Sequence, residues 1–596
     1  MNSRYLHKLR SIIFSPESKF ELWTRTIYHK LAATRIFFWI QDRIAKKSYR
    51  RWLAQQKKDI ESMPNTFLYQ PRITFLVNAS DGSQKQLSQT LDSIFTLQGK
   101  NLEVLVSLTE SQEFLDLPNN RFPHSNLKII TRNDDVPKKI TGDYIVFCQP
   151  GDHFLKSTLN VFYQQINKDN PADVFYYDCE SKDGSHKQSK AFFKPNSLSP
   201  SLLLSINYLS RAFIKVATLK QYSVPIYIDN DLLSEEFNIL LRLYEAGAVF
   251  QHIPSVLVSQ IRFASAEMPS IMGVAKKYLL RQELKTVTAH ATTYGTRFIW
   301  ENHLPAVDII ILTKNHFQML KKLINSIYSF DYQQDIKVKI VDNGSDDHST
   351  LAYYEKIKKT QEIELIPYNK TFNYSEAINL GVSYSDSELI LFLNDDMQVI
   401  NSDWLSELSQ WALRPEIGVV GAKLIRANQM IQHAGIIMGL TGFVGHIYLN
   451  APEHYFGLWG SVDWYRDIIA VTGACQMMRR EIFQEVGGYD EKFQLAFGDI
   501  DFCCRVAESG YRNVYTPFAQ LLHYEGSTRG YVTPVPDTLR GYEKLALYLN
   551  NEDPYFSTNL TYTRIPKCQI GGFEKDERTA MIRERKKFYE RIENEK

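Results

Sequence analysis

The spacing of apolar positions changes period several times along this chain, and the changes come twice in the same order. Arg72-Ile-Thr-Phe-Leu-Val77 is a short apolar run of the β type. Leu87, Leu91, Ile94 and Phe95 follow at helical spacing, and Leu102-Glu-Val-Leu-Val106 is β-like again. Much later Val307-Asp-Ile-Ile-Ile-Leu312 is followed by Leu320, Leu323, Ile324 and Ile327 at i, i+3, i+4, i+7, then by Ile336-Lys-Val-Lys-Ile-Val341. Strand, helix and strand with short links read as a βαβ unit of a parallel sheet. The echo continues: Asp143-Tyr-Ile-Val-Phe-Cys-Gln-Pro-Gly151 aligns without gaps on Glu388-Leu-Ile-Leu-Phe-Leu-Asn-Asp-Asp396. Helical segments follow at Leu159 to Ile166 and Trp404 to Trp411. The pattern predicts an α/β protein with two tandem α/β domains, at 66–295 and 300–545. A linker lies near Glu301-Asn-His-Leu-Pro305, a basic helical segment occupies 1–65, and a charged tail with a helical pattern occupies 546–596.

Length agrees with two cores, since 596 residues exceed what one ordinary core holds. The chain is 44% hydrophobic and 23% charged, a globular balance that excludes disorder. Cys148, Cys179, Cys475, Cys503, Cys504 and Cys568 are scattered without a CxxC pair, which excludes a zinc ribbon or disulfide framework and fits a reducing compartment. No apolar run reaches the roughly 18 residues of a membrane span, and the N-terminus lacks a signal-peptide pattern. A cytoplasmic location is therefore expected. The formal net charge of +2 gives no argument for nucleic acid as a partner. Charge is uneven, however: residues 1–60 hold 14 Lys and Arg against 4 Asp and Glu, together with Trp23, Ile36, Phe37, Phe38, Trp39 and Trp52. Such a segment suits an anionic membrane surface, here the inner face of the cytoplasmic membrane. It equally suits a helical cap that packs on the next domain.

Candidate chemistry collects at predicted C-terminal strand ends, the edge where α/β sheets bind ligands. Leu391-Phe-Leu-Asn-Asp-Asp-Met397 is an apolar strand that ends in Asp395 and Asp396. Oxygen ligands there suit Mg²⁺ or Mn²⁺, ions that travel with phosphates; two solvated loop aspartates are the plain alternative. Thr313-Lys314-Asn315 and Asp342-Asn-Gly-Ser-Asp346 follow the two preceding strands. Asp342 is a candidate acceptor for the ring N–H of a uracil or thymine, although Asp-Asn-Gly is also ordinary turn chemistry. Thr472-Gly473 breaks the apolar run Ala470 to Cys475. Asp499 and Asp501 fall in the first turn of a predicted helix, where acids oppose the helix dipole and where one of them can serve as general base. The strand Ala519 to His523 ends in a candidate metal ligand, with Glu525, Ser527 and Arg529 beyond it. The first copy is blank at the matching place: Gln149-Pro150-Gly151 replaces Asn394-Asp395-Asp396, with Asp152 one residue off register.

These residues carry a resemblance. Val307-Asp-Ile-Ile-Ile-Leu-Thr313, Val341-Asp-Asn-Gly-Ser345, Leu393-Asn-Asp-Asp396, Thr472-Gly-Ala474, Val486-Gly-Gly-Tyr-Asp490, Gly498-Asp-Ile-Asp-Phe-Cys503 and His523 occur in this order. The chain thereby resembles the family 2 inverting glycosyltransferases of GT-A fold, most nearly bacterial polysaccharide enzymes of the rhamnosyltransferase type. Tandem-domain members are also matched by Phe193-Lys-Pro195, Ser199-Pro-Ser-Leu-Leu-Leu204 and Gln432-His-Ala-Gly435.

The resemblance implies two GT-A-like domains, the first degenerate and non-catalytic. It implies a hexosyl transfer, dependent on Mg²⁺ or Mn²⁺, from a UDP- or dTDP-sugar to a glycan or lipid-linked glycan. Thr313 and Asp342 would hold the base. Asn394, Asp395, Thr472, Gly473 and Arg529 would contact the nucleotide sugar, and Asp396 and His523 would ligate the metal. Asp499 would be the catalytic base, with Asp501 in reserve. The chain departs from the family at Asn394, where an Asp is common, at Gly498, where many members have Glu, and at Ser259, where tandem relatives often have His. Two rival readings stand beside this one. A non-catalytic sugar- or nucleotide-binding scaffold would keep the fold without turnover. A dinucleotide oxidoreductase would need a GxGxxG that neither βαβ unit has.

Overall fold

The apolar runs become the centres of two sheets. The computed structural model describes residues 34–594 except 64–65, 80–82, 99–100, 109–125, 132–133, 169–171, 183–188, 228–231, 261–267, 283–286, 293–294, 301–303, 360–362, 525–532 and 563–574. The main path of the first sheet contains β1 (Ile73–Asn78), β2 (Leu102–Ser107), β3 (Leu127–Ile130), β4 (Tyr144–Cys148), β5 (His153–Phe154), β6 (Val174–Lys182), β7 (Phe213–Lys215) and β8 (Phe250–Gln260). The second contains β9 (Val307–Thr313), β10 (Ile336–Asp342), β11 (Ile363–Pro367), β12 (Leu389–Leu393), β13 (Met397–Val399), β14 (Ile417–Ile425), β15 (Cys475–Arg479) and β16 (Arg512–His523).

The first path runs β3-β2-β1-β4-β7-β6-β8-β5 and the second β11-β10-β9-β12-β15-β14-β16-β13, the same order strand for strand. Directions agree too. β1, β2 and β4 pair in parallel, as do β9, β10 and β12. β7 and β15 are inserted antiparallel. β6–β8 and β14–β16 return to parallel. The internal repeat is therefore a repeat of topology, and the two tandem α/β units are as expected.

Continuous burial on both faces explains the near-unbroken apolar strands: every residue of β12 is buried. The amphipathic helix Phe317–Ile327 lays Leu320, Leu323, Ile324 and Ile327 on the sheet. Parallel register sets Thr313 beside Asp342, so the polar strand ends gather on one edge. One expectation shifts: the strand expected over Ala470 to Cys475 begins only at Cys475, because Thr472 and Gly473 form a loop at that edge. Cys148, Cys179, Cys475, Cys503 and Cys504 are all reduced and buried; Cys568 lies outside the described residues.

Helix α1 (Arg35–Glu61) straps the two copies together. Its buried face touches the second copy through Phe38, edge-on to Tyr455 at 4.9 Å, and through Asp42, which accepts from the Tyr455 hydroxyl at 2.7 Å. It touches the first through Trp52, edge-on to Phe193 at 5.0 Å, and through Gln56, which exchanges two hydrogen bonds with the Val256 backbone. The copies also meet directly. The buried Asp467 carboxylate accepts from Ser199 Oγ at 2.7 Å and from the Ser201 amide at 2.9 Å, and is ion-paired to Arg512. The stretches Phe193-Lys-Pro195 and Ser199 to Leu204 thus serve docking. Two further segments bind the unit: the hairpin Val287–Ala291 and Thr296–Trp300 packs Trp300 on Trp411, and Asn559 from the C-terminal region donates to Asp178 at 2.8 Å.

Removing the Trp52 side chain should open a cavity at this strap. Trp52→Ala is expected to cost about 3–5 kcal/mol, read as a lower unfolding midpoint, with faster tryptic cleavage at the exposed Lys57 and Lys58.

Candidate active site

At the ends of β9 and β12, Thr313 Oγ donates to Asp395 Oδ2 at 2.7 Å, and His316 Nδ1 lies 3.1 Å from the same oxygen. Asp395 is thereby a clasp between two strand ends. Its hydrogen bond to His316 holds that imidazole toward the charged form. Asp342 accepts from Ser345 N at 3.1 Å, from Ser345 Oγ at 2.5 Å and from the Tyr354 hydroxyl at 2.9 Å. Both of its oxygens are engaged in its own turn, so binding a base edge would require a partner exchange there.

Asp396 and His523 come together as the spacing could not show. β13 pairs antiparallel with β16, setting Met397 opposite His523, and Asp396 Oδ1 lies 3.2 Å from His523 Nε2. Burial alone would raise the Asp396 pKa, but the hydrogen bond and charge of His523 bring it below the ordinary carboxylate value. The other ring nitrogen, His523 Nδ1, is buried without a hydrogen-bond partner among the described residues. Asp396 Oδ1 and His523 Nε2, 3.2 Å apart, are a carboxylate oxygen and an imidazole nitrogen close enough to be neighbouring ligands of one Mg²⁺ or Mn²⁺, ions that keep waters and phosphate oxygens in their remaining positions. Among the described residues no group of three or more such ligands occurs.

Beside this pair is a pocket of about 230 Å³ lined by Asn394, Thr472, Gly473, Tyr374, His446 and Asp499, among others. Asp499 sits in the first turn of the helix Gly498–Glu508. The Gly473 amide donates to its Oδ2 at 2.7 Å and the Ile500 amide to its Oδ1 at 2.9 Å. Burial raises its pKa, and those two donors pull it partly back. Space at 473 is tight: a Cβ there would stand 3.1 Å from Asp499 Cβ and would press on that side chain. The approach to the helix is strained: Phe497 has φ 70°, a left-handed conformation that costs a bulky residue about 1–3 kcal/mol. The buried Asp537 steadies it by accepting from the amides of Gln494, Leu495 and Ala496. Gly498, where the family often has Glu, is fixed by space: a Cβ would meet Ser375 Oγ at 2.7 Å.

The other expected residues divide. Asp501 is buried, ion-paired to Arg505 at 2.9 Å, and absent from the pocket lining. Arg505 in turn holds the carbonyls of Val486 and Gly488. That geometry gives Asp501 a bracing task in place of the reserve base expected of it. Arg529 lies outside the described residues. Sequence reasoning missed Tyr374, Ser375, His446, His316 and Asp537. Asn373-Tyr-Ser-Glu376 could have revealed the first two, since Asn-x-x-Glu is a helix-start pattern and Asn373 does cap the helix Tyr374–Ser383.

Comparison with known proteins decides the family. Residues 308–487 match the model of glycosyl transferase family 2. This region is a family 2 glycosyltransferase domain. A protein of Sinorhizobium fredii, y4gI, is 31% identical over 71% of this chain and 49% of its own length. The O-antigen biosynthesis protein RfbC of Myxococcus xanthus is 33% identical over 65% of this chain and 32% of its own. The N-acetylglucosaminyl-diphospho-decaprenol L-rhamnosyltransferase of Mycobacterium tuberculosis is 22% identical over 38% of this chain and 78% of its own. The chain thus spans about half or less of the length of the first two relatives.

Set beside the glycosyltransferase domain, the first copy shows what has filled the same place. Its helix α2 (Leu232–Glu245) corresponds to Gly498–Glu508, and both lead to the last long strand through a Glu-x-Gly turn. Glu236 in α2 accepts from the Arg211 amide at 2.6 Å, as Asp499 accepts from Gly473. The Arg211 guanidinium binds Asp152 Oδ2 at 2.7 Å and Oδ1 at 3.2 Å, and both side chains are buried. A resident cation therefore occupies the first copy where the glycosyltransferase domain has an open loop.

Burial pushes the Glu236 carboxyl up to about 8, against the pull of Arg211. The folded state then holds a proton that the unfolded chain releases near its ordinary value of 4.5. Stability should fall as pH rises through this window, and Glu236→Gln should flatten that slope in thermal melts. Arg211→Met, which strands Asp152, should cost about 3–5 kcal/mol, with partial recovery in the Arg211→Met, Asp152→Asn double variant.

Proposed function

We propose that this chain is an inverting, metal-dependent glycosyltransferase. It moves a hexose from a UDP- or dTDP-sugar to a hydroxyl of a glycan or lipid-linked glycan in bacterial cell-surface polysaccharide synthesis. The second domain carries the reaction and the first is a non-catalytic partner. The observation that carries this reading is Asp499, held by the Gly473 amide in the wall of a pocket next to the Asp396–His523 pair. The names of the relatives, an O-antigen biosynthesis protein and a rhamnosyltransferase, support the substrate class.

In this mechanism Asp499 accepts the proton of the acceptor hydroxyl as that oxygen attacks the anomeric carbon. A new C–O bond forms on one face while the bond to the diphosphate breaks on the other, so one base suffices and configuration inverts. The raised pKa makes Asp499 a stronger base than an exposed aspartate. Asp396 and His523 would hold Mg²⁺ or Mn²⁺, which supplies positive charge to the departing diphosphate. Asp395 acts indirectly, by fixing Thr313 and His316 beside that site. The filled Arg211–Asp152 site is the argument for a non-catalytic first domain.

The exposed side of α1 supports peripheral attachment to a membrane. Among the described residues no helix is long and apolar enough to cross one. Ile36, Trp39, Ile40 and Ile44 are instead 75%, 50%, 52% and 43% exposed, and Arg43, Lys46, Lys47, Arg50 and Arg51 are exposed around them. Apolar side chains among cations fit the headgroup region of an anionic bilayer. The same helix packs on both copies through its other face, which leaves this exposed side available for the proposed membrane contact.

Asp499→Asn should lower transfer about 10²–10⁴-fold, measured as nucleotide release from a nucleotide-sugar panel, while Asp501→Asn should lose activity only in proportion to lost stability. The acid limb of kcat/KM should lie above the ordinary aspartate pKa of about 3.9. Transfer by Asp499→Asn and Asp396→Ala within a few-fold of wild type would refute the assignment. Trp39→Glu with Ile40→Glu should abolish co-sedimentation with phosphatidylglycerol vesicles and leave transfer to a soluble acceptor unchanged.

A further inference from the structure

The stretch Gln432-His-Ala-Gly435 belongs to neither the base nor the metal pair. It lies on the short strand Ile431–His433, paired with β14, and ends in a turn where Gly435 takes φ 107°. That turn brings the chain back over the His433 ring. The Gly435 amide donates to Nε2 at 3.3 Å, and the Thr472 amide approaches the same nitrogen at 3.5 Å. A nitrogen that receives N–H donors is the acceptor of the ring, so the proton of neutral His433 sits on Nδ1. His433 is fully buried, and burial, followed by the nearby His446 and His523, keeps it far from protonation.

His433 Nδ1 lies 2.8 Å from His446 Nδ1, with the rings edge to face at 84°. One of two nitrogens at that distance must donate and the other accept. Because Nδ1 of His433 carries the proton, Nδ1 of His446 accepts, and the proton of neutral His446 is placed on Nε2. His446 lies on the strand Val444–His446, paired with Ile436–Met438, and lines the same pocket as Asn394, Thr472, Gly473 and Asp499.

We infer that His446 is a sugar-binding residue whose Nε2–H donates to a hydroxyl oxygen of the sugar held beside Asp499, and that His433 is the positioning residue that fixes its tautomer and ring plane. The ligand rests on the glycosyl-transfer reading, whereas the relay is a property of the folded chain. The direction of the relay follows from backbone amides. Thr472 ties it to the loop whose next residue, Gly473, holds the base, so sugar and base are referred to one short segment.

The test has two arms on the full chain. In the first, ¹⁵N shifts of histidine-labelled protein, assigned with His433→Gln and His446→Gln, should show His433 protonated at Nδ1 and His446 at Nε2 near pH 7.5. The opposite pair of tautomers would overturn the relay whatever the activity. In the second, His446→Phe keeps an aromatic ring without the donor, and His446→Gln restores a donor. With a nucleotide sugar that the wild type turns over, His446→Phe should raise KM about tenfold, as for one lost hydrogen bond, at an unchanged unfolding midpoint. His446→Gln should recover most of that loss. KM and kcat of His446→Phe within twofold of wild type would overturn the sugar contact. A wild type that turns over no nucleotide sugar would overturn glycosyl transfer, and the ligand assigned to His446 with it, while the shifts still decide the relay.

Discussion

The amide of Gly473 and the carboxylate of Asp499 meet at 2.7 Å, and the second domain is arranged so that they can. The contact is favoured by the absence of a side chain at 473, by a helix that begins within reach, and by a backbone that enters that helix through the strained Phe497. Asp537 supports the last of these from a different helix, by collecting three amides of the approach. The Asp499 carboxylate is thus placed by backbone groups, which cannot swing away as side chains can. A carboxylate so placed is preorganised for proton transfer.

The relation between the copies follows from a second buried carboxylate. Asp467 draws Ser199, Ser201 and Arg512 into one hydrogen-bonded knot between the two units, and α1 lies across both with Phe38 and Trp52. A buried ion pair is weak evidence for stability by itself, but removing one partner leaves an uncompensated charge. The register of one unit on the other is therefore specified by polar groups as well as by apolar area. The stretches that carry the tandem-domain resemblance, Phe193-Lys-Pro195 and Ser199 to Leu204, are the residues that make this fit.

Much of the fold was legible because its central strands are buried on both faces and read as continuous apolar runs. The helix at Leu320 to Ile327 was legible because its stripe has one clean period. The strand order was not, since β7 and β15 insert between neighbours in space that are distant in sequence, and nothing local announces an antiparallel strand there. At the site, Asp396, His523 and Asp499 could be named from strand ends and a helix start. Their neighbours could not: His446 and Asp537 come from unrelated segments, and only the folded chain brings them near. Asp501 shows the converse limit. Two acids in one helical turn look equivalent in sequence, yet one faces a loop amide and the other faces Arg505, because positions two apart on a helix do not share a face.

The Arg211 bridge in the first copy has a consequence for how this molecule changes over time. Asp152 and Glu236 are both tolerated in the interior because Arg211 serves one through its side chain and the other through its amide. Once such a triad is in place, losing the arginine side chain first strands Asp152, losing Asp152 first strands the guanidinium, and losing Glu236 first leaves the buried Arg211 amide without its acceptor. Each single step back toward an open pocket runs through a less stable chain. The closed state of the first copy is thereby self-locking: it can be opened without loss of stability only by changing several buried residues together.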